Sequence, residues 1–239
     1  ALFWNTYGDH TVYKNIKSLP GGTFTIFSRG KIIQQNKFYE IGSECRINGN
    51  SLNKVTDEFK ELMDDSVKLR LRSDVPVGAY LSGGIDSSVI LHLIRNHNKK
   101  HFKTFSVTFS DQEYDESEYQ MDMVRSIDTD HYPINITYKK VDEVFPDAVY
   151  HFERPVFRTA PVPLFLLSEE VRKTDIKVVL TGEGADEILW GYDSFKEMKL
   201  LQFWSRFPDS SIRPKLIKKL YPHLNHYSDP RQFGMMKMF

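Results

Sequence analysis

The stretch Tyr80 to Leu93 reads YLSGGIDSSVILHL and lies where an apolar, strand-like segment passes into an apolar, helix-like segment. Two glycines, three serines and one aspartate occupy this junction. Because glycine has no Cβ, a ligand can approach the backbone closely there. The N–H groups and the dipole at the start of a helix attract anions such as phosphate. The junction therefore predicts a phosphate-binding loop between a strand and a helix.

The run SGGIDSS at 82–88, called the first loop, fits a phosphate that is accompanied by a cation. A phosphate is expected to approach the backbone closely at Ser82, Gly83 and Gly84. The hydroxyl groups of Ser87 and Ser88 are expected to donate hydrogen bonds to it. The carboxylate of Asp86 would repel a phosphate unless a divalent cation lay between them. The pattern GxxxxGK[ST] does not occur in this loop, so it is not the common P-loop. A glycine-rich turn with incidental serines is the plainer alternative.

The composition limits what the chain can be. Its 239 residues are 40% hydrophobic and 27% charged, which is the balance of a globular protein with a buried core. The formal net charge is zero, which argues against a dominant nucleic-acid-binding surface. The single cysteine, Cys45, excludes an internal disulfide and favours a cytoplasmic protein. No apolar run approaches the roughly 18 residues of a membrane span, so no membrane association is expected.

Strand-like and helix-like patterns alternate through most of the chain. Residues 1–44 read as β structure with a hairpin of strands at 23–28 and 32–38. A helix capped near Ser51 opens a second predicted domain, residues 45–239. The later predicted strands span 75–81, 103–109, 131–137 and 177–180, and the predicted helices span 52–67, 88–96, 116–127, 141–150 and 163–173. This alternation predicts an α/β fold, a parallel sheet with helices on both faces.

A second polar loop follows the last predicted strand, and ligands of parallel sheets bind at the carboxyl ends of strands. TGEGADE at 181–187, called the second loop, places Glu183, Asp186 and Glu187 beside two glycines. Carboxylates this close raise one another's pKa unless a cation intervenes. A solvated acidic helix start, which the helix dipole favours, is the plainer alternative. Together with the first loop, the acidic cluster predicts a metal and general-base site that faces a nucleotide.

Three segments carry a resemblance to a known family. SGGIDSS is similar to the pyrophosphate-binding loop of the ATP pyrophosphatase (PP-loop) superfamily, whose members cleave ATP between the α and β phosphates. SDVPVGAYLSGGIDSS at 73–88, together with TGEGADEILWGY at 181–192, resembles the glutamine-dependent asparagine synthetases. FERPVFRTAPVPLFLLS at 152–168 resembles the family's segment between the two loops. The resemblance implies a sheet of the adenine nucleotide alpha hydrolase type, with ATP and Mg²⁺ as ligands.

The resemblance also implies roles for single residues. Leu81 and Val107 would flank the adenine, partly through their backbone groups. Asp86 and Asp186 would hold Mg²⁺ against the pyrophosphate. Glu183 resembles the family's catalytic glutamate, which takes a proton from the attacking ammonia. The residues that the resemblance assigns to ATP are Leu81, Ser82, Gly83, Gly84, Asp86, Ser87, Ser88, Val107, Thr181 and Gly182.

Two further candidates have competing interpretations. Arg158 could bind a carboxylate or a phosphate with both arms of its guanidinium and is a candidate catalytic residue. The family has an arginine near this point, but the spacing to the following proline differs by one residue, so its functional role stays open. Asp115 and Glu118, in YDESEY, either cap the following helix or act as ligands, and capping is the commoner role.

The resemblance predicts that the sequence is a piece of a longer protein. Residues 1–44, which include NTYGDHTVYKNIKSLPGGTF and NKFYEI, resemble only the last strands of an Ntn-type glutaminase domain. The nucleophile of that domain is the first cysteine of the mature chain, and this sequence begins with Ala1. Chains of the family also continue past the equivalent of Phe239. We therefore expect an internal fragment, with residues 45–239 as an ATP pyrophosphatase domain that is truncated at its C-terminus.

The activity implied is that of a ligase. An amide would form through an acyl-adenylate, with aspartate converted to asparagine by ammonia from glutamine and with release of AMP and pyrophosphate. Relatives in the family amidate other carboxylates or close β-lactam rings, so the acceptor stays open. An inactive nucleotide-binding domain is a third hypothesis, and the neutral charge and second loop argue against a tRNA-modifying or GMP-forming enzyme. Small-molecule substrates are expected, with no nucleic acid and no membrane, and the resemblance is compatible with a homodimer of the intact enzyme.

Overall fold

Alternating strands and helices are present in the computed structural model, which describes residues 8–42, 51–98, 101–112, 114–153, 156 and 158–220. The chain divides into two units, Ala1–Thr181 and Gly182–Phe239. The predicted boundary after residue 44 and the thiol of Cys45 lie outside the described residues. Among the helices that the structure describes, none is long and apolar enough to cross a membrane.

The first unit begins with the predicted hairpin. Strand β1, Thr23–Ser28, pairs antiparallel with β2, Lys31–Lys37, across a turn in which Arg29 and Gly30 have φ angles of 48° and 75°. The prediction of a hairpin is therefore confirmed. Its apolar side chains are poorly covered, with Phe27 67% exposed, because two strands cannot enclose a core of their own.

The rest of the first unit is a four-stranded parallel sheet with its connecting helices. Its strands are β3 (Val77–Tyr80), β4 (Lys103–Phe109), β5 (Asp130–Ile136) and β6 (Val178–Leu180), in the spatial order β5-β4-β3-β6. Its helices are α1 (Leu52–Arg70), α2 (Ile85–His97), α3 (Ser117–Ile127), α4 (Tyr138–Phe152) and α5 (Pro161–Arg172). The predicted α/β class and parallel sheet are confirmed.

Helices cover both faces of this sheet, as predicted. On one face, Ala79 and Leu81 share a buried cluster with residues of α1, α2 and α3. On the other face, Phe105 packs against α5, and Ile136 packs against α4 and α5. Side chains of successive strand residues point to opposite faces, so the alternation along β3 supplies both clusters. The core of the first unit is thus two apolar layers separated by the sheet.

Two helices begin earlier than the apolar periodicity predicts. Helix α2 starts at Ile85 rather than 88, and α4 starts at Tyr138 rather than 141. Thr137 caps α4 by accepting a hydrogen bond from the N–H of Lys140, whereas Gly84 precedes α2 without a side-chain cap. The first turns of both helices contain polar or exposed residues, so their sequence does not carry the pattern of a buried face.

The order of the strands creates a switch point at β3. The next strand along the chain, β4, lies on one side of β3, and β6 lies on the other side. Ala79 is paired with Thr104 of β4 and with Leu180 of β6, so the carboxyl ends of all three strands lie at one edge of the sheet. Ligands of open α/β sheets bind at such an edge, beside the switch point.

A buried polar network accounts for the two polar residues in the middle of β4. Thr104 and Ser106 are fully buried, and their hydroxyl groups bond the two ring nitrogens of His131 at 2.9 and 3.0 Å. Burial lowers the pKa of His131, which favours the neutral ring. A neutral imidazole can donate through one nitrogen and accept through the other, so it satisfies both hydroxyl groups.

The second unit is built from short helices. It contains α6 (Ala185–Leu189), α7 (Asp193–Ser205), a 3₁₀ helix (Arg213–Leu216) and α8 (Ile217–Leu220). The guanidinium of Arg213 lies 4.0 Å from the ring centres of both Phe203 and Phe207 and donates to the carbonyl of Phe203. These contacts hold the chain after α7 in place. Residues 221–239 lie outside the described residues.

Candidate nucleotide-binding site

The first loop connects β3 to α2 through a backbone that requires glycine. Gly83 has a φ of +88°, which residues with a Cβ rarely adopt. A Cβ at this position would lie 3.1 Å from the Cβ of Glu116 and 3.2 Å from its carbonyl oxygen. The loop therefore lies directly against the start of α3, and its shape depends on the missing side chain.

Replacement of Gly83 by alanine is expected to lower the free energy of unfolding by about 1–2 kcal/mol, because an L-residue is strained at a left-handed φ. Denaturant unfolding of the intact protein measures the change. Gly21→Ala is the matched control, since Gly21 has no left-handed φ and no heavy atom within 4 Å of its added Cβ. Equal stability of the two variants would contradict the account of this loop.

The serines of the first loop hold its shape in the structure. Ser87 is 6% exposed, and its hydroxyl donates to the carbonyl of Gly84 at 3.1 Å and accepts from the N–H of Ser82 at 3.2 Å. Ser88 donates to the same carbonyl at 2.8 Å. The hydroxyl of Ser82 is exposed and accepts from the N–H of Gly84. That Ser87 and Ser88 also donate to a phosphate stays a prediction.

The residues predicted to flank adenine lie beside this loop on neighbouring strands. Leu81 is buried directly after β3, and its N–H donates to the carbonyl of Phe105 at 2.9 Å. Val107 is half-buried in β4. Asp86 is half-buried in the first turn of α2. The first unit therefore brings the predicted adenine-flanking residues, the glycines and one predicted metal ligand to the same edge of the sheet.

Gln120 of α3 was missed by the sequence analysis and contacts both parts of this edge. Its amide nitrogen donates to the carbonyl of Val107 at 3.0 Å and, over a longer distance of 3.4 Å, to the carbonyl of Ser82. The side chain is 2% exposed. A glutamine in a helix usually faces solvent, so the sequence carries no signal for this role.

Asp115 anchors the start of α3 to the end of β4. Its carboxylate accepts from the hydroxyl of Ser117 at 2.6 Å and from the N–H of Phe109 at 3.2 Å. These hydrogen bonds, the Ser117 bond first, lower the pKa of Asp115 because they stabilise its charged form. The N-cap of α3 is Glu116, without a side-chain cap hydrogen bond, so the choice between capping and ligand roles for Asp115 and Glu118 stays open.

The second unit gathers the carboxylates of the second loop around one tyrosine. Tyr192 donates through its hydroxyl to Glu187 at 3.0 Å. This hydrogen bond raises the pKa of Tyr192, and the charges of Glu187, Asp186 and Glu183 raise it further. Tyr192 is therefore bonded to Glu187, and the close grouping of the three carboxylates stays a prediction.

Gly191 sets the position of Asp186 and was also missed by the sequence analysis. A Cβ on Gly191 would lie 1.9 Å from Oδ1 of Asp186, so the carboxylate lies where a side chain would stand. The N–H of Gly191 also donates to the carbonyl of Asp186 at 3.0 Å. Only glycine at residue 191 leaves room for this placement of Asp186.

The remaining predicted residues lie directly after β6 and in the segment before α5. Thr181 is half-buried and directly follows β6, at the edge of the sheet that β3 also reaches. Gly182 is half-buried and Glu183 is exposed at the start of the second unit. Arg158 is exposed in the segment that leads into α5. The coordinates leave the functional role of each as a prediction.

Within the described ranges, no group of three or more His, Cys, Asp or Glu side chains is arranged to hold a metal. Mg²⁺ is bound by oxygen atoms and usually keeps waters and substrate phosphates among its ligands, with only one or two protein carboxylates. Asp86 and Asp186 are of the right chemical type for this kind of coordination.

A parallel sheet with a glycine-rich loop at its switch point is an α/β domain of the kind in which ligands bind at the carboxyl ends of the strands. The model of the asparagine synthase family matches residues 58–235, and the chain belongs to that family. It is 32% identical to asparagine synthetase [glutamine-hydrolyzing] 1 of Bacillus subtilis over 205 aligned residues. The aligned residues are 86% of this chain and 31% of that protein. The chain thus spans about a third of the length of this relative.

The chain is also similar to a fungal protein that is named an amidase and to a solved structure of low sequence identity. Amidase chyE of Penicillium rubens is 29% identical over 202 residues, which are 78% of this chain and 30% of that protein. Among solved structures, the NH3-dependent NAD synthetase of Campylobacter jejuni aligns over 79% of this chain and 93% of that chain, with 17% identity and a TM-score of 0.40. The two curated proteins, a synthetase and an amidase, are therefore named for different reactions.

Proposed function

We propose that this chain supplies the synthetase part of an enzyme that forms an amide at the expense of ATP. The observation that supports the proposal most directly is the first loop. It is a glycine-dependent turn between β3 and α2, at the switch point of a parallel sheet, in a chain of the asparagine synthase family. The second loop begins after β6, which is the neighbour of β3 in the sheet.

The reaction has two steps. A carboxylate oxygen of the acceptor attacks the α phosphorus of ATP, and the bond from that phosphorus to the bridging oxygen of the β phosphate breaks. The products are an acyl-adenylate and pyrophosphate. The nitrogen of ammonia then attacks the acyl carbon, the carbon–oxygen bond to the phosphate of AMP breaks, and ammonia loses a proton. The protein accelerates both steps chiefly by aligning the reactants and by offsetting negative charge.

The first loop would bind the phosphates of ATP. Gly83 and Gly84 leave the backbone open to close approach, and the start of α2 contributes the positive end of its dipole. Leu81 and Val107 would flank the adenine. Asp86 and Asp186 would hold Mg²⁺, which when bound offsets the negative charge of the leaving pyrophosphate.

The second loop would serve the amide-forming step. Glu183 would take the proton that ammonia loses, and such a base must lie within hydrogen-bond reach of that proton. Thr181 and Gly182 would contact the nucleotide where the chain leaves β6. Arg158 would bind the acceptor carboxylate or a phosphate through charge-assisted hydrogen bonds.

Gly191→Ala is expected to lower amide formation about 100-fold, the scale of a 1 Å misplacement of a reacting group. The added Cβ would occupy the place of Oδ1 of Asp186, so the variant should resemble Asp186→Asn in its activity. Steady-state rates of the intact protein test this expectation. Gly42→Ala is the control, because nothing lies within 4 Å of the added Cβ. Full activity of Gly191→Ala would show that the position of Asp186 does not matter.

Aspartate is the proposed acceptor, and ammonia from glutamine is the proposed nitrogen source. The name of the Bacillus relative supports this choice, while the fungal relative that is named an amidase supports another carboxylate as acceptor. Exchange of labelled pyrophosphate into ATP separates the two, because the exchange requires the acceptor that is adenylated. We expect exchange with aspartate. Exchange with other carboxylates alone would identify a different acceptor, and no exchange with any carboxylate would contradict the adenylation step.

A further inference from the structure

Gln120 lies in the interior of the protein, where a polar amide side chain is unusual. It projects from α3 and is 2% exposed. Burial of an amide costs free energy unless its polar atoms are hydrogen-bonded, so buried amides normally have partners for both their nitrogen and their oxygen. Gln120 meets this requirement only in part.

The amide nitrogen of Gln120 joins a carbonyl group of β4 to a carbonyl group of the first loop. It donates to Val107 in β4 and to Ser82, which directly follows the buried residue after β3. Its Cγ would lie 3.4 Å from a Cβ at Gly83, so the side chain also packs beneath the glycine of the first loop. One side chain thus fixes the distance between the proposed adenine-flanking strand and the proposed phosphate-binding loop.

The amide oxygen of Gln120 is buried and has no hydrogen-bond partner among the residues that the structure describes. Such an atom is unfavourable for stability, and an apolar side chain of the same shape would not leave an acceptor unpaired. A glutamine at this position is therefore explained better by the two hydrogen bonds that its amide nitrogen donates than by the packing of the core.

We propose that Gln120 is a positioning residue that couples recognition of the base to recognition of the phosphates. The inference rests on the proposed function, since it takes Val107 to lie against adenine and the first loop to bind phosphate. ATP must contact both elements at once, so a fixed distance between them preorganises the site and raises affinity. Pyrophosphate would contact only the first loop, so its affinity should not depend on Gln120.

Binding measurements on the intact protein test this proposal. In Gln120→Met, which keeps the shape and removes the donor, the affinity for ATP should fall about 10-fold, as expected for the loss of two hydrogen bonds. The affinity for inorganic pyrophosphate should stay at the level of the unmodified protein. Gln34→Met, at an exposed position of β2, is the control and should leave both affinities unchanged.

Gln120→Glu provides a second variant with the same shape. A carboxylate would face two carbonyl oxygens without a proton to donate, whereas the protonated form can donate one hydrogen bond. The affinity for ATP, relative to the unmodified protein at each pH, should therefore recover as the pH is lowered. A purely structural defect would lower and restore the affinities for ATP and pyrophosphate together, whereas the coupling role predicts recovery of the ATP affinity alone.

The outcomes separate this inference from the proposed function. Binding of ATP and formation of AMP by the unmodified protein would support the proposed function. If both Gln120 variants then kept the ratio of ATP affinity to pyrophosphate affinity of the unmodified protein at every pH, the coupling role of Gln120 would be wrong and the proposed function would stand. An equal loss of both affinities would also overturn the coupling role. If the unmodified protein neither binds ATP nor forms AMP with any acceptor, both proposals are wrong.

Discussion

Replacement of Glu183 by glutamine is expected to lower the rate of amide formation by about 10²–10⁴-fold, the usual contribution of a general base. Glutamine keeps the shape of the side chain but cannot accept the proton that ammonia loses. Adenylation does not use this base, so exchange of labelled pyrophosphate into ATP should continue. The variant should therefore separate the two steps of the reaction, and rapid-quench measurements should show the acyl-adenylate in larger amounts than in the unmodified protein.

Glu187→Gln is the matched control for this experiment. It removes one negative charge from the same loop, from a carboxylate that accepts a hydrogen bond from Tyr192. A general charge effect of the acidic cluster would make the two variants equally slow, whereas a specific base at Glu183 makes only the first variant slow. If Glu183→Gln kept the full rate of amide formation, the assignment of the base would be wrong.

Replacement of Asp86 by asparagine is expected to lower pyrophosphate exchange at least about 100-fold. Loss of a group that only supports a metal ligand typically lowers metal affinity or activity about 10–100-fold. Loss of a direct ligand should therefore lower the activity by at least the upper end of that range. Raising the Mg²⁺ concentration should restore part of the activity, because a weakened metal site is filled again by mass action. Titration of the exchange rate with Mg²⁺ measures both effects.

The plainer interpretation of Asp86 makes a different prediction. A carboxylate in the first turn of α2 also complements the helix dipole, and its loss would then lower stability by about 0.3–1 kcal/mol without a change in metal dependence. Asp122→Asn is the control for a surface charge, since Asp122 is 65% exposed and pairs with Arg125 on α3. An Asp86→Asn variant with unchanged exchange and an unchanged Mg²⁺ requirement would show that Asp86 serves only the helix dipole.

The order and type of the elements could be predicted from the sequence because they are local properties. Apolar runs such as KTFSVTF at 103–109 and the glycines of the first loop mark strands and turns without knowledge of their neighbours. The first residues of α2 and α4 were harder to predict, since the first turns of these helices lack the apolar periodicity. Patterns of this kind report the buried face of an element, and a first turn outside the core has none.

The features that the sequence did not predict are contacts that only the folded structure shows, one of them between distant segments and two of them within one loop or turn. Gln120 acquires its importance from carbonyl groups that are 13 and 38 positions away along the chain. Gly191 resembles an ordinary turn residue until the carboxylate of Asp186 is placed against it. Ser87 reads as a ligand-binding hydroxyl, whereas in the structure it is buried and bonded within the loop. Packing between segments decides the role of Gln120, and the local course of the backbone decides the other two.

The central claim is that the first loop binds ATP for cleavage between its α and β phosphates. The most direct test is to identify the nucleotide that the intact protein forms from ATP, Mg²⁺, aspartate and an ammonium salt. We predict AMP and pyrophosphate in amounts equal to the amide, and with ¹⁸O in the aspartate carboxylate, one labelled oxygen in the phosphate of AMP. Formation of ADP and phosphate without AMP would contradict the account.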